Sequence, residues 1–581
     1  MVYAILAVFI ILCVCALIFK KRGDMPLPFS KDTKKISRTD VIIMAVVTIL
    51  YSAVAFTNLG DMVAPTPTRP FSGKKETVAA FDTVARCGQI SYYKTLGSGK
   101  MVVIASKDGK NWDRVLELDA APFGRWTSVP CDFTARFVAV DCADKNMELC
   151  EIAFFDKNGK QLSVSSTSSI FDEQDKVPRA ESFLNSTYFD EIYHVRTAHE
   201  HINLYKQYEN THPPLGKLII ALGIKTFGMN PFGWRFMGTL FGALMLPLIY
   251  LFAKRMFKNT FLASSAMLLL TFDFMHFAQT RIATIDTYGV FFIMLMYYFM
   301  YIYYDSTKEE LPLKKAAIVL FLSGLSFGLG IASKWIVFYA GAGLAVLFFM
   351  ALAKRGDSKS DIIKTLLLCI VFFAVIPFGI YFASYIPVFL SENSENMIKT
   401  LIDYQKHMFT YHSSVTDTHP FSSKWYQWPL VYKPIWYWGD KGTHVIEGTA
   451  ASIVSLGNPL IWWGGTLCAV GMLISSFKNR NKIKAFILIG FLSQYLPWMF
   501  IGRIVFIYHF FASVPFIILA SVYVFRKIGE LLPHKYLFIG SYLAVSLILF
   551  VCFYPVLSGM TVSREYITGA LTWFSSWILC Y

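Results

Sequence analysis

The chain has 581 residues, of which 55% are hydrophobic and only 16% charged, against roughly 25% charged in an average soluble domain. That balance excludes a disordered chain and an ordinary cytosolic enzyme; with 52 Phe, 31 Tyr and 13 Trp it fits a polytopic membrane protein carrying one or two water-facing parts. The net charge of +15 does not point to nucleic acid, because most of the Lys and Arg excess lies in short clusters between apolar runs, where cytoplasmic loops of membrane proteins carry it.

Runs of about 17–25 mainly apolar residues read as membrane spans. In chain order they are 3–19, 41–58, 236–253, 261–279, 285–304, 315–332, 335–352, 363–386, 459–476, 485–500, 503–524 and 537–556, twelve in all. Basic clusters follow every second span: Lys20, Lys21 and Arg22; Lys254, Arg255 and Lys258; Lys308, Lys314 and Lys315; Lys354, Arg355 and Lys359; Lys478, Arg480, Lys482 and Lys484; Arg526 and Lys527. These loops are expected in the cytoplasm, which places both termini outside. The first span has no positive charge before it and a basic cluster after it, the pattern of an uncleaved anchor. Two long segments, 59–235 and 387–458, then fall on the outer side, where an enzyme working at the membrane surface would keep its site.

The first outer segment begins with an all-β region over 62–180. Val102-Val103-Ile104, Arg136 to Val140 and Glu151 to Phe155 are β-prone runs, and Ser106 to Trp112 and Asp156 to Gly159 read as turns. Ser106-x-Asp108-Gly109-x-x-Trp112, Gly124-Arg125-Trp126, Arg136-Phe137-Val138 and Glu151 to Asp156 together resemble the discoidin class of jelly rolls. That resemblance implies an inserted β-sandwich whose relatives bind sugars or lipid head groups, or only pack against neighbours. Cys87, Cys131, Cys142 and Cys150 share this stretch; four Cys allow three disulfide pairings, and no zinc-type spacing occurs in the chain.

After Pro178 the chain changes character. Asp190 and Glu191 stand side by side before a helical pattern, followed by His194. Acidic residues at a helix start are ordinarily caps, and Glu191 with His194 has the spacing of a di-iron ligand pair, but no second such pair with inward-facing partners appears. Asn185-Ser186-Thr187 is an N-glycosylation pattern. His212-Pro213-Pro214-Leu215-Gly216-Lys217 enters the next apolar helix in extended form. Arg281 and Asp286 lie at the outer ends of two spans, where they either pair or leave Arg281 for a phosphate. Lys334 and Arg503 stand among apolar residues, and ionisable residues at membrane depth are functional by default. The cations at the outer ends of different spans suggest an anionic group held at the outer interface.

Phe189-Asp190-Glu191, His212 to Lys217, Arg235, Arg281 to Asp286, Ser333-Lys334-Trp335, Tyr411-His412, His419 to Trp425, Trp428-Pro429-Leu430, Gly457-Asn458-Pro459, Trp462-Trp463, Leu496-Pro497-Trp498 and Arg503 together resemble the protein O-mannosyltransferases, glycosyltransferase family 39. The resemblance implies a GT-C fold of about 12 spans, with 1–58 holding two N-terminal spans, 62–180 the β domain, and 181–581 the catalytic region with its outer loop 387–458. It implies transfer of mannose from a polyprenyl phosphate to Ser or Thr of an exported protein, with inversion, on the extracytoplasmic face of the cell membrane. Asp190 is then the base, with Glu191 orienting the acceptor or His194. Arg281, Lys334, Arg503 and Lys217 hold the donor phosphate, and His194, His212, Asp286, His412, His419 and Trp428 complete the site. No nucleotide or obligate metal is implied, since side chains can neutralise the phosphate. The partners are the lipid-linked donor, the protein acceptor and the bilayer, with contacts to secretion machinery or to a second copy left open. Two other readings remain: the same chemistry on a lipid or cell-wall glycan, and a transporter or sensor. The chain departs from the family pattern in its extra first span and in the β insertion before Asp190.

Overall fold

The computed structural model describes residues 33–68, 78–119, 122–142, 144, 146–440, 446–479, 481–532 and 534–580. The expected first span, its basic loop through Lys31, and Arg480 lie outside the described residues. Among those described, nine helices are long and apolar enough to cross a membrane, from Arg38–Phe56 to Lys535–Ser558. A further span is broken into Thr260–Thr271 and Phe274–Thr280, bent by 57°, and Val337–Leu352 is a shorter apolar helix. Every expected span after the first therefore falls on helix.

The chain divides into two compact units: 58–209 with 220–237, and the remainder. In the second, the end of the helix bundle that carries the basic loops is tied together by buried charge. Asp40 receives hydrogen bonds from Tyr250 Oη (2.6 Å), Lys254 Nζ (3.0 Å) and Thr260 Oγ1 (2.9 Å), and closes a capping box with Ser37. Asp305 pairs with Lys34 and Lys482, both at 2.7 Å. Such pairs fix which helix ends meet more than they add stability.

The first unit is built on a six-stranded antiparallel sheet. Strands β1 (Val78–Lys94), β2 (Met101–Ser106), β3 (Asp113–Leu118), β4 (Arg125–Cys142), β5 (Leu149–Phe155) and β6 (Val164–Ser165) lie in the order β3-β2-β4-β1-β5, with β6 pairing β1. The long β1–β4 ribbon breaks register between Ala80 and Ala85 and again between Cys87 and Gln89. Such breaks bend a ribbon, and residues from both of its halves share one core with Phe81, Ile90, Tyr92, Val103, Val138, Ile152 and Phe154. The Ser106–Trp112 turn forms as its residues dictate: Asp108 Oδ1 accepts from the backbone N–H of Lys110 and Asn111, and Gly109 takes φ +76°.

The Asn185-Ser186-Thr187 triplet is not presented as a glycan acceptor. Asn185 is buried and donates its side-chain nitrogen to the carbonyl of Ala180 at 2.8 Å. The four cysteines of this unit are free thiols, with the Cys87 and Cys131 sulfurs 3.3 Å apart.

Asp40→Ala would leave Lys254 buried without its carboxylate, a defect that costs roughly 3–5 kcal/mol. Thermal unfolding of the detergent-solubilised protein should show a markedly lower midpoint, and an unchanged midpoint would mean that the Asp40 cluster is not holding these helix ends.

Candidate active site

The two adjacent carboxylates are held differently. Helix Glu191–Ile202 begins immediately after Phe189 and Asp190. Phe189 has φ +49°, a left-handed conformation that a bulky residue keeps only where its surroundings impose it. Asp190 occupies the N-cap position, yet its side chain makes no capping hydrogen bond, so the ordinary reading of an acid at a helix start does not describe it. It is half-buried.

Glu191 is fully buried and belongs to Arg235. Nε and Nη2 of Arg235 donate to Oε1 and Oε2 of Glu191, each at 2.7 Å. The other guanidinium hydrogens go to the carbonyls of Leu59 (2.9 Å), Phe183 (2.6 Å) and Ser186 (2.9 Å). All five donors of the guanidinium are therefore used. The plane also lies over the Tyr188 ring, 4.7 Å from its centroid, and Tyr188 N donates to Glu191 Oε2. Glu191, expected to orient the acceptor or His194, forms this pair with Arg235. His194 is buried on the same helix.

The cations of the helical unit are also committed, each to a different partner. Lys334, which reads as solitary in the sequence, ends helix Leu313–Ser333 and places Nζ 2.6 Å from Asp286 Oδ1. Its Nζ also lies 5.7 Å from the centroid of the Tyr508 ring. Asp286 is the first residue of helix Asp286–Asp305, where a negative charge is favoured. Arg281 does not pair with Asp286. It donates to the carbonyls of Ala55 and Thr57, both at 2.9 Å, closing the end of helix Arg38–Phe56 as a cation does at a helix C-terminus. Lys217 is fully buried and donates to the carbonyl of His212 at 2.9 Å.

Histidines and aromatic rings gather on the same unit. The His212 and His412 rings meet edge to face at 5.2 Å, and His412 Nε2 lies 2.8 Å from the carbonyl of Thr211. Trp335 approaches His412 at 6.3 Å. Burial pushes the His412 pKa down to about 4, helped by the charges of His212, Arg503 and Lys334. His419 meets Phe506 edge to face at 5.1 Å; its pKa is lowered by burial and by Lys433. Trp428 is fully buried, gives its indole N–H to Ser423, and stacks on His509 at 5.9 Å. Arg503 lies on the irregular segment between Leu496–Phe500 and Ile507–Ser513.

Among the described residues, Glu151, Asp172 and Glu173 come close enough together to share an ion. Glu151, however, already accepts hydrogen bonds from the Glu173 backbone and from Gln174, so the group fits a loop anchor.

Two family models match the chain. That for dolichyl-phosphate-mannose-protein mannosyltransferase covers 181–391, and that for the C-terminal four-span region of protein O-mannosyltransferase covers 397–577, together more than half of the sequence. The chain belongs to the protein O-mannosyltransferase family. It is 26% identical over 462 residues to the polyprenol-phosphate-mannose–protein mannosyltransferase of Mycobacterium tuberculosis, covering 67% of this chain and 86% of that protein. Similarity to the Corynebacterium glutamicum protein of the same name is also 26%, over 426 residues. Its fold matches the Saccharomyces cerevisiae protein O-mannosyltransferase Pmt1–Pmt2 complex bound to the sugar donor, with a TM-score of 0.58 at 14% identity over 68% of this chain and 89% of that one. The match to this mannosyltransferase supports a GT-C-like helical architecture.

Within this family member, sequence reasoning named Arg235 only as part of a motif and missed His509. Arg235 carried a signal, an Arg near the start of an apolar helix, Pro231–Phe257. His509 lies in the apolar segment Ile507–Gly529 and deserved the same attention.

The charges that depress His412 are positive, so an anion seated among them would offset their effect and raise its pKa. Anion binding then takes up a proton, and affinity should strengthen as pH falls from 7 toward 4. Titration calorimetry with a polyprenyl phosphodiester, whose own charge is constant over that range, should show this slope in the wild type and a flatter one in His412→Gln. Equal slopes would remove His412 from the anion site.

Proposed function

We propose that this protein transfers mannose from polyprenyl-phosphate mannose to Ser or Thr hydroxyls of exported proteins, at the extracytoplasmic face of the membrane. The reading is carried by the Asp190–Glu191 pair, where Arg235 takes up Glu191 and Asp190 starts the helix without capping it. Support for the donor comes from the family models and from the names of the mycobacterial and corynebacterial relatives. The basic loops after alternate spans support the orientation.

A Ser or Thr hydroxyl is a weak nucleophile at neutral pH. Asp190 takes its proton as the oxygen attacks the anomeric carbon from the side opposite the phosphate. The sugar–phosphate C–O bond breaks, and its electron pair leaves on the polyprenyl phosphate. One displacement inverts the anomeric centre. The charge that grows on the leaving oxygen is met by fixed cations. Lys334, Arg503, Arg281 and Lys217 supply them, with His412, kept neutral by burial, as a hydrogen-bonding group beside His212. Asp286 holds the Lys334 ammonium in position. Trp428 and His419 pack the segment that carries them against 498–509.

Asp190→Asn keeps the shape of the loop and removes the base, so turnover should fall by on the order of 10²–10⁴ with donor affinity unchanged. Single-turnover transfer to a Ser/Thr peptide, measured beside donor binding, tests this. Turnover at the wild-type rate would exclude Asp190 as the base.

A further inference from the structure

The chain that leads into Asp190 is held by the first turn of β4. Thr187 N donates to the carbonyl of Gly124 at 2.8 Å, and Thr187 Oγ1 donates to the carbonyl of Phe123 at 2.5 Å. Ser186 Oγ accepts from Trp126 N at 3.1 Å. The turn is itself tied to the end of β1, since Gly124 N donates to the carbonyl of Lys94 at 2.8 Å. Arg125 pairs with Glu181, upstream on the same loop.

The helix that follows Asp190 is anchored to the sheet as well. His199 Nε2 lies 3.2 Å from Glu148 Oε2, which also accepts from Thr95 Oγ1 at 2.7 Å, and the His199 ring packs beside Phe123 at 5.8 Å. Only Tyr188 and the left-handed Phe189 lie between the Thr187 anchorage and Asp190. Gly124 is required twice over. Its φ is +63°, and a Cβ there would come within 3.0 Å of Thr187 Cγ2. Strands 60-odd residues earlier in the chain thus hold the backbone on both sides of one carboxylate.

We infer that the Phe123–Trp126 turn is a positioning element for the Asp190 carboxylate, acting through Gly124 and Thr187. The inference rests on the reading of Asp190 as general base. It gives the sheet unit a part in turnover, distinct from any capture of acceptor on its surface. A domain that only captured the acceptor would change KM for a long acceptor and leave kcat alone. One that aims the base changes kcat even on a peptide too short to reach a remote surface.

The test uses the full-length protein in detergent, polyprenyl-phosphate mannose and a short Ser/Thr peptide. Gly124→Ala should lower kcat by about 10–100-fold, the effect of a misplaced group, with KM for donor and peptide within about threefold. Thr187→Ser keeps the hydroxyl and should turn over at close to the wild-type rate. Thr187→Val loses it and should be slow. The double variant Gly124→Ala/Thr187→Ser removes the methyl that the new Cβ meets, and should recover about tenfold over Gly124→Ala. If Gly124→Ala fails to fold, seen as loss of donor binding, the contrast between Thr187→Val and Thr187→Ser carries the test at unchanged donor binding.

Unchanged kcat in both Gly124→Ala and Thr187→Val overturns the inference, as does a rise in peptide KM alone. Asp190→Asn in the same assay separates the two claims. If it is active, the base assignment fails. If it is inactive while the Gly124 and Thr187 variants are normal, the base stands and the positioning role falls.

Discussion

Arg235 is buried with its five N–H donors divided between the Glu191 carboxylate and the carbonyls of Leu59, Phe183 and Ser186, and the geometry of the carboxylate pair follows from that division. A guanidinium taken out of water gains little net stability from its partner, yet removing one member of such a pair leaves a stranded charge. What the arrangement supplies is position. It joins residues near 59, 183–191 and 235 at one point, and it commits one of two adjacent acids to structure. The neighbouring Asp190 stands at the N-cap of the same helix without a capping hydrogen bond, although the two are chemically alike.

The helical unit uses charge differently. Lys334 pairs with Asp286, Arg281 donates to two helix-end carbonyls, and Lys217 donates to the carbonyl of His212. Carbonyl dipoles offset a positive charge without cancelling it, and both Arg281 and Lys217 donate to such carbonyls. The pKa of His412 is lowered first by burial and then by the charges of His212, Arg503 and Lys334.

The architecture was legible because membrane spans are a composition signal: a run of some 20 apolar residues has few other uses. The break at Phe272–Asp273 was not, since the two halves read as one apolar run. Turns such as Ser106–Trp112 were legible because Asp, Gly and Asn specify their own backbone. Of the site, the residue types and their neighbourhood in sequence could be read, but not their pairing. Asp286 was offered to Arg281, five residues away, and is taken by Lys334, 48 residues away. Glu191 could be named beside Asp190, but its pairing with Arg235, 44 residues further on, could not. The hold of Gly124 on Thr187 had no signature at all, because it is made by backbone groups.

The central claim is a single inverting displacement by a protein hydroxyl at a lipid-linked sugar. The most direct measurement is NMR of the anomeric centre in the product formed by the purified protein from polyprenyl-phosphate mannose and a Ser/Thr peptide. The account predicts one hexose on the hydroxyl, with the anomeric configuration opposite to that of the donor. Retained configuration, or a peptide left unmodified while a lipid or glycan acceptor takes the sugar, would contradict it.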